Sequence, residues 1–346
     1  MRGLQKVTIQ QKAGQHTLAL LDYKIVDKND YLLPPENSPL EVAWGSGPIG
    51  VKSYYGYVNH YESTPSAVHS RTRMVCVGTS KWMNSVKPNT WMGTTRSAIA
   101  RDILSSHRLR SVVHDHPYVL EQWATGTRSD LASLRALADE SGYLLWVDGS
   151  TGYFLDPAKV FGNISVTTTP VIRRQDITNV QVMGGSNVPG LLEPSQRIAQ
   201  YGLEYRTNEL FLATGGDTNS PTTLSSSGAN TFSEALDVTS AASRRQQDVH
   251  AIKLRFTGNA RVRPGTLIRV QPGIVNNDQG GLWMVNQATH EINQKDFYTE
   301  VVGTRSDEVI PTTQVNTAGW NSTVDVPAVI RDGIQWEAQL QERIRG

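Results

Sequence analysis

The sequence predicts a mainly β protein interrupted by an α+β insert, and three observations lead there. Charged residues make up 19% of the chain and apolar residues 38%, with 29 glycines, a balance that favours strands and turns over long solvated helices. Period-two alternation of aromatic and β-branched residues recurs before and after a central stretch that carries helical periodicity instead. Clusters of Gly, Pro and Ser separate the alternating runs, as turns do between antiparallel strands. At 346 residues the chain has room for about two domains of ~150 residues each.

Taken in order, Leu40 to Trp44, Val51 to Tyr61 and Arg71 to Val77 alternate with period two, so the first 80 residues read as antiparallel strands. Asp27 to Pro39 carries Pro34, Pro35 and Pro39 and reads as a long loop, because proline fixes φ and removes a donor. Thr95 to His107 then places Ile99, Ile103 and Leu104 on one helical face. Arg128 to Ser141 does the same with Leu131, Leu134, Leu137 and Ala138. Thr127 with Asp130 three residues on fits a capping box, and Gly142 fits the glycine that ends a helix. Tyr143 to Val147, a turn at Asp148-Gly149 and Gly152 to Leu155 read as a hairpin.

Strand patterning resumes at Ile177 to Met183 and continues through Gly202 to Thr214. Thr214 to Asn230 is almost entirely Thr, Ser, Gly, Asn, Asp and Pro, the composition of a surface loop. Thr231-Phe232-Ser233-Glu234 opens a helix that ends near Arg244-Arg245, where cations suit the helix dipole. Ala251 to Phe256, Thr266 to Val270, Leu282 to Val285 and Phe297 to Val302 complete the strands. Residues 311–327 are polar, and Ala328 to Gly346 is patterned as a short amphipathic helix. No short-period repeat is present, which argues against solenoids and propellers.

Composition also limits the chemistry. Lys and Arg number 33 and Asp and Glu 32, a formal charge of +1, which argues against a strongly basic nucleic-acid binder. One cysteine, Cys76, excludes an intramolecular disulfide and any Cys-rich metal site, and reads as a small buried hydrophobe on a strand. The first residues lack the apolar run of a secretion signal, and no run reaches the ~18 residues of a membrane helix.

Individual motifs fare poorly. Gly45-Ser46-Gly47-Pro48-Ile49-Gly50 matches a dinucleotide fingerprint in letters, but a strand pattern follows it where the pyrophosphate needs a helix N-terminus. It reads as a turn between strands. His114-Asp115-His116 would put two imidazoles on one side of an extended segment, yet no third ligand is signalled. His290-Glu291 begins like a zinc-protease helix, but position 294 is Gln and the flanks are strand-like. Asp139-Glu140 reads as the solvated end of a helix, and the eight tryptophans as core with some capacity to stack sugars. No catalytic, cofactor-binding or metal-binding residue is nominated.

The order of segments resembles phage tail baseplate and tail-tip hub proteins, the family of the late control gene D proteins and the hub part of type VI secretion spike proteins. Three stretches carry the resemblance. They are Tyr55-Gly56-Tyr57-Val58 with Arg73 to Gly78; Ser97 to Ile103 with Ser129 to Tyr143; and Val262 to Val270 with Gly281 to His290 and Phe297 to Val301. The resemblance implies two tube-like antiparallel β-barrels per subunit: 1–80, completed by 159–176, and 177–311. The α+β insert at 81–158 lies between them and 312–346 is an extension. It further implies a homotrimer whose six barrels form a pseudo-sixfold ring joining a sixfold tail tube to a threefold central spike or tail tip. Expected partners are the tail tube protein, the spike or tail-tip protein, which would be a separate polypeptide, and other baseplate proteins. DNA would pass through without specific binding, no membrane segment is expected, and the location would be the virion tail. Two other readings are a tail-associated cell-wall hydrolase using His114, His116 or scattered carboxylates, and a host carbohydrate-binding module using the tryptophans and residues 214–230.

Overall fold

Alternation builds the first strands. The computed structural model describes residues 3–25, 33–46, 50–64, 70–162, 169–184, 197–203, 210–215, 222–224, 231, 234–239, 241, 250–271 and 281–305. Five strands open the chain: β1 (Leu4–Lys12), β2 (Leu18–Ile25), β3 (Pro39–Ser46), β4 (Gly50–Thr64) and β5 (Ser70–Gly78). Val7 and Ile9 of β1, Leu21 and Tyr23 of β2, Val58 of β4, and Met74 and Cys76 of β5 point into one core, as a two-residue side-chain period requires. The sequence singles out β3, β4 and β5; β1 emerges as a strand whose alternation is diluted by glutamines, and β2 as one that opens on a continuous apolar run, Leu18 to Leu21.

The stretch expected as an insert, 81–158, holds β6 (Thr90–Thr95), α1 (Arg96–Ser106), β7 (Arg110–Val113), β8 (Val119–Ala124), α2 (Asp130–Ser141), β9 (Leu144–Asp148) and β10 (Thr151–Leu155), and α3 (Pro157–Gly162) runs across its end. Ile99, Ile103 and Leu104 of α1 and Leu134, Leu137 and Ala138 of α2 face a second core with Met83, Leu120, Trp123 and Phe154. Each large side chain buried this way contributes about 2 kcal/mol. The Thr95 hydroxyl caps α1 by accepting from the Ala98 amide. The cap of α2 is Ser129, which accepts from the Ala132 amide, and not Thr127. Ser129 directly precedes the first helical residue, where its oxygen reaches an unpaired amide. Gly142 ends α2 at φ +67°, the left-handed conformation glycine adopts without a Cβ penalty. The hairpin of β9 and β10 pairs as patterned, and β7 joins it in parallel. A two-stranded ribbon of β6 and β8 was not signalled by the sequence.

Beyond the insert lie β11 (Val171–Ile172), β12 (Ile177–Gly184), β13 (Arg197–Leu203), β14 (Leu210–Gly215), β15 (Thr222–Leu224), β16 (His250–Thr257), β17 (Leu267–Val270), β18 (Gly281–Asn293) and β19 (Phe297–Arg305). Residues 222–224, inside the stretch expected to be a loop, form β15 and pair in parallel with β13. Residues 234–239 are helical, and Thr231 caps them by accepting from the Glu234 amide, as patterned. Residues 27–32, most of 214–230, Arg244-Arg245 and the segments 311–327 and 328–346 lie outside the described residues.

The strands of both β regions merge into one 11-stranded sheet with the order β12-β16-β19-β18-β1-β2-β5-β4-β3, and β17 and β11 branch from β18. The joint is β18. Its residues Gln287–Asn293 pair with β1, and its residues Gly281–Met284 pair with β17. A third core, with Ile252, Leu254, Phe256, Ile268, Trp283, Val285 and Val301, fills the second region. Within 159–176, β11 pairs with β17, and Phe161 packs with Leu267 and Met284.

The insert is fastened to both regions through its β9–β10 hairpin. The Gly14 amide donates to the Leu145 carbonyl at 2.6 Å, and the Thr17 hydroxyl to the Val147 carbonyl at 3.0 Å. From the other region, Arg263 pairs with Asp148 at 2.9 Å and lies over Tyr153, which stacks on Trp146 at 4.5 Å. Gly265 has φ +75°, and a Cβ there would run into the Trp146 ring. Gly126 has φ +59° with nothing within 4 Å of an added Cβ. Gly126→Ala is therefore expected to cost about 1 kcal/mol, the left-handed penalty alone. Gly265→Ala is expected to cost about 3 kcal/mol, because overpacking adds to the same penalty. Urea denaturation of the two variants checks the difference.

Candidate assembly surfaces

The sheet ends in β3 on one side and β12 on the other, and each has one hydrogen-bonded neighbour strand on the sheet's path among the described residues. On β3, Glu41, Ala43 and Gly45 are exposed while Trp44 is buried. An open cleft of about 370 Å³ beside β3 is lined by Leu40, Glu41, Tyr55, Tyr57 and Thr79. Tyr55 and Trp82 are about half exposed, and Trp82 meets Tyr57 edge to face at 5.3 Å. On β12, Thr178, Asn179 and Gln181 are exposed. Uncovered strand edges and exposed aromatics are the surface features that protein partners use.

The sheet face opposite the first core carries alternating charges. Arg73 on β5 sits between Asp22 on β2 at 2.7 Å and Glu62 on β4 at 3.9 Å. Glu291 on β18 sits between Lys6 on β1 at 2.9 Å and Arg255 on β16 at 2.8 Å. Lys253 pairs with Glu300 at 3.0 Å. Partial burial raises the Glu291 carboxyl, but Lys6 and Arg255 outweigh it and hold the group below the usual carboxylate range. Each charge in these sets has an opposite neighbour, and across them the four cations and four anions balance.

A buried charge cluster ties the insert to the helical residues 234–239. Arg96, at the first position of α1, is fully buried and donates to Asp237 at 2.5 Å and to Glu140 at 3.3 Å. Its third nitrogen lies 3.9 Å from Glu234. His116 Nε2 meets the same Asp237 oxygen at 3.2 Å. A buried guanidinium is tolerable only when its charge is matched in this way. One signal for this burial is present in the sequence: Arg96 leads the apolar stripe of Ile99, Ala100 and Ile103 at spacings of three, four and seven. Asp237 carried none, because its partners are 141 and 121 residues away in sequence.

The residues singled out as motifs have structural work. Ser46 and Gly50 are paired across β3 and β4, so the glycine-rich stretch connects two strands; residues 47–49 lie outside the described residues. His114 accepts from the Asp156 amide, whereas His116 turns to Asp237, so the two rings serve different partners. Among the described residues, no group of three or more His, Cys, Asp or Glu side chains is placed to hold a metal. Glu140 pairs with Arg96, so only Asp139 of that doublet is a solvated helix end, beside Arg135. Trp44, Trp123, Trp146 and Trp283 are core residues, while Trp82 is exposed. Cys76 is buried and burial pushes its thiol up to about 12.

His290 is fully buried on β18. One ring nitrogen lies 3.0 Å from the Val262 carbonyl and the other 3.0 Å from the Thr299 hydroxyl. Neutral imidazole satisfies both, with Nε2–H donating to the carbonyl and Nδ1 accepting from the hydroxyl. Burial lowers its pKa to about 4.

With this geometry in hand, the class is clear: the chain has the fold of phage tail proteins. It resembles the 43 kDa tail protein of prophage MuSo2 from Shewanella oneidensis with a TM-score of 0.67 at 10% identity, over 89% of this chain and 96% of that one. It resembles the tail protein from Neisseria meningitidis MC58 with a TM-score of 0.63 at 10% identity, over 89% and 94%. An E. coli component of the type VI secretion system, itself similar to T4 bacteriophage tail proteins, matches with a TM-score of 0.58 at 12% identity, over 89% and 74%. At these identities the likeness is one of fold. At the level of sequence, no family model and no curated protein matches.

Two outcomes follow from the buried groups. Arg96→Met strands Asp237 in the interior with His116 as its remaining charged partner among the described residues, and is expected to cost about 3 kcal/mol. Arg96→Met combined with Asp237→Leu is expected to recover most of that, a coupling that a double-mutant cycle measures. For His290, the folded pKa lies below the ordinary 6.5, so the unfolded chain takes up the proton first. Stability from this group is complete above pH 6.5 and is lost as pH falls from 6.5 towards 4. Between pH 7 and pH 5 the loss is expected to be about 2 kcal/mol, and His290→Gln should remove most of that slope in thermal melts. Burial also lowers the His16 pKa, which leaves a smaller slope of the same sign.

Proposed function

We propose that this chain is a structural hub subunit of a phage tail or a related injection machine, of the kind the late control gene D proteins represent. In this reading it is a non-enzymatic homotrimer. Each subunit supplies two tube-like barrel modules, residues 1–80 and 177–311, set around the 81–158 insert, with 312–346 as an extension. Six modules make a pseudo-sixfold ring that joins a sixfold tail tube to a threefold spike or tail tip. The subunit works in the virion tail beside other baseplate proteins.

The observation that carries the reading is the single sheet shared by both β regions, antiparallel along its path from β12 to β3, in a fold matched over 89% of the chain by solved phage tail proteins. A ring subunit has to present curved sheet on both sides of its own middle, and β18 provides that continuity. The self-cancelling charges on one face suit a conduit that DNA crosses without being held. His114, His116 and His290 hold a backbone amide, a buried carboxylate and a backbone carbonyl, which favours a structural over a hydrolytic role. No helix among the described residues is long and apolar enough to cross a membrane.

Electron microscopy of the purified protein tests this. Class averages are expected to show a hollow threefold ring with a near-sixfold face. Compact monomers that persist after tube and spike proteins are added would overturn it.

A further inference from the structure

We propose that β3 of one copy pairs in parallel with β12 of the next copy, so that strand addition between opposite sheet edges closes the ring. The inference rests on the hub reading above and names the surfaces and the strand direction that would realise it.

The two edges are lightly guarded: neither strand carries a lysine or an interior proline, and β12 has a register shift between Ile177 and Asn179 near its start. Sheet edges in soluble proteins are usually blunted with lysines, inward charges, bulges or prolines along the strand. Of the eight residues of β3, the sole charge is Glu41, and proline occurs only at the first position. The eight residues of β12, Ile-Thr-Asn-Val-Gln-Val-Met-Gly, include no charge and no proline. Both strands are the last on the sheet's path among the described residues, so the two ends of the sheet are formed by different strands. That arrangement suits head-to-tail assembly, in which each copy offers one edge and receives the other.

Strand direction follows from the topology. Every neighbouring pair along the path from β12 to β3 is antiparallel, and there are eight such pairings. An even number of reversals gives β3 and β12 the same sense along the ladder, and a sheet rolled into a tube keeps that sense at both of its ends. Rotation about a ring axis preserves a strand's direction along that axis, so β3 and the next copy's β12 meet in parallel. A twofold dimer through β3 alone would instead be antiparallel.

Charge agrees with the parallel arrangement. Glu41 stands near the start of β3, and the exposed Arg173 and Arg174 immediately precede β12. Parallel pairing brings these ends together, whereas antiparallel pairing carries Glu41 to the far end of β12. Leu40, Tyr55 and Tyr57 around the cleft beside β3 then supply apolar contact for the incoming strand.

The test uses the full chain with Ala43→Cys and Thr178→Cys, treated with a short bismaleimide and read on a denaturing gel beside light scattering of the same sample. The native thiol of Cys76 is buried and protonated, and stays silent. Expected is a ladder ending at trimer for the double variant, with each single variant remaining monomeric on the gel. Glu41→Arg is expected to weaken association roughly fivefold, and Arg173→Glu with Arg174→Glu in the same chain should restore it. Oligomers in solution with neither cross-link nor charge-swap rescue would overturn the edge pairing and leave the ring reading standing. Cross-linking of the Ala43→Cys variant alone would overturn it in favour of a twofold β3 contact. A folded monomer at every concentration, with tube and spike proteins present, would sink both readings.

Discussion

The pairing of β1 with β18 is the constraint on which the rest of the structure depends. Lys6 to Lys12 lie beside Asn293 to Gln287, so the beginning of the chain is stitched to a strand that arrives 285 residues later, the separation of Lys6 from Glu291. Closing so long a loop costs little more than closing one half its length, because the entropy grows only with the logarithm. Remove that seam and two sheets remain, each with an extra open edge. With it, the sheet continues from β12 to β3, and the insert becomes an excursion anchored beneath it.

The seam also shows how polar groups are handled on its two faces. On one side Lys6 and Arg255 clamp Glu291 in partial solvent, where ion pairs contribute modestly. On the other, the neighbouring His290 is stripped of water and kept neutral between a carbonyl and a hydroxyl, with Trp44 against its ring. Adjacent residues of one strand thus meet opposite electrostatic conditions because successive side chains point to opposite faces. The Arg96 cluster extends the same logic to the insert. A buried charge set of this kind adds little net stability over an apolar contact. What it supplies is geometry: residues 234–239 meet α1 where Asp237 can reach Arg96.

Much of the fold was legible in the sequence because local signals and tertiary demands coincide there. Ile99, Ile103 and Leu104 mark the buried face of α1, Gly142 ends α2 with a positive φ, and Asp148-Gly149 sits at the turn between β9 and β10. The α2 cap was misread by two residues, since Thr127 and Ser129 both satisfy a letter pattern and only backbone conformation chooses between them. The ribbon of β6 and β8 escaped notice because it is short and carries exposed Met92 and Val119, which spoils any period. β15 was hidden inside a polar stretch for the same reason, since three residues are too few to show alternation.

The sequence by itself determined that the chain is mainly β, with two helices in its central stretch, and the identity of most strands, because side-chain period and turn chemistry act over a few residues and need no distant partner. Tertiary structure alone decided that two β regions share one sheet, that Arg96 finds Asp237, and that His290 is a buried neutral bridge. Each of those depends on residues more than a hundred positions apart in sequence, or on which face a register turns inward. Strand register is collective: one residue of slip would exchange core and solvent along a whole strand, and only the assembled sheet fixes it.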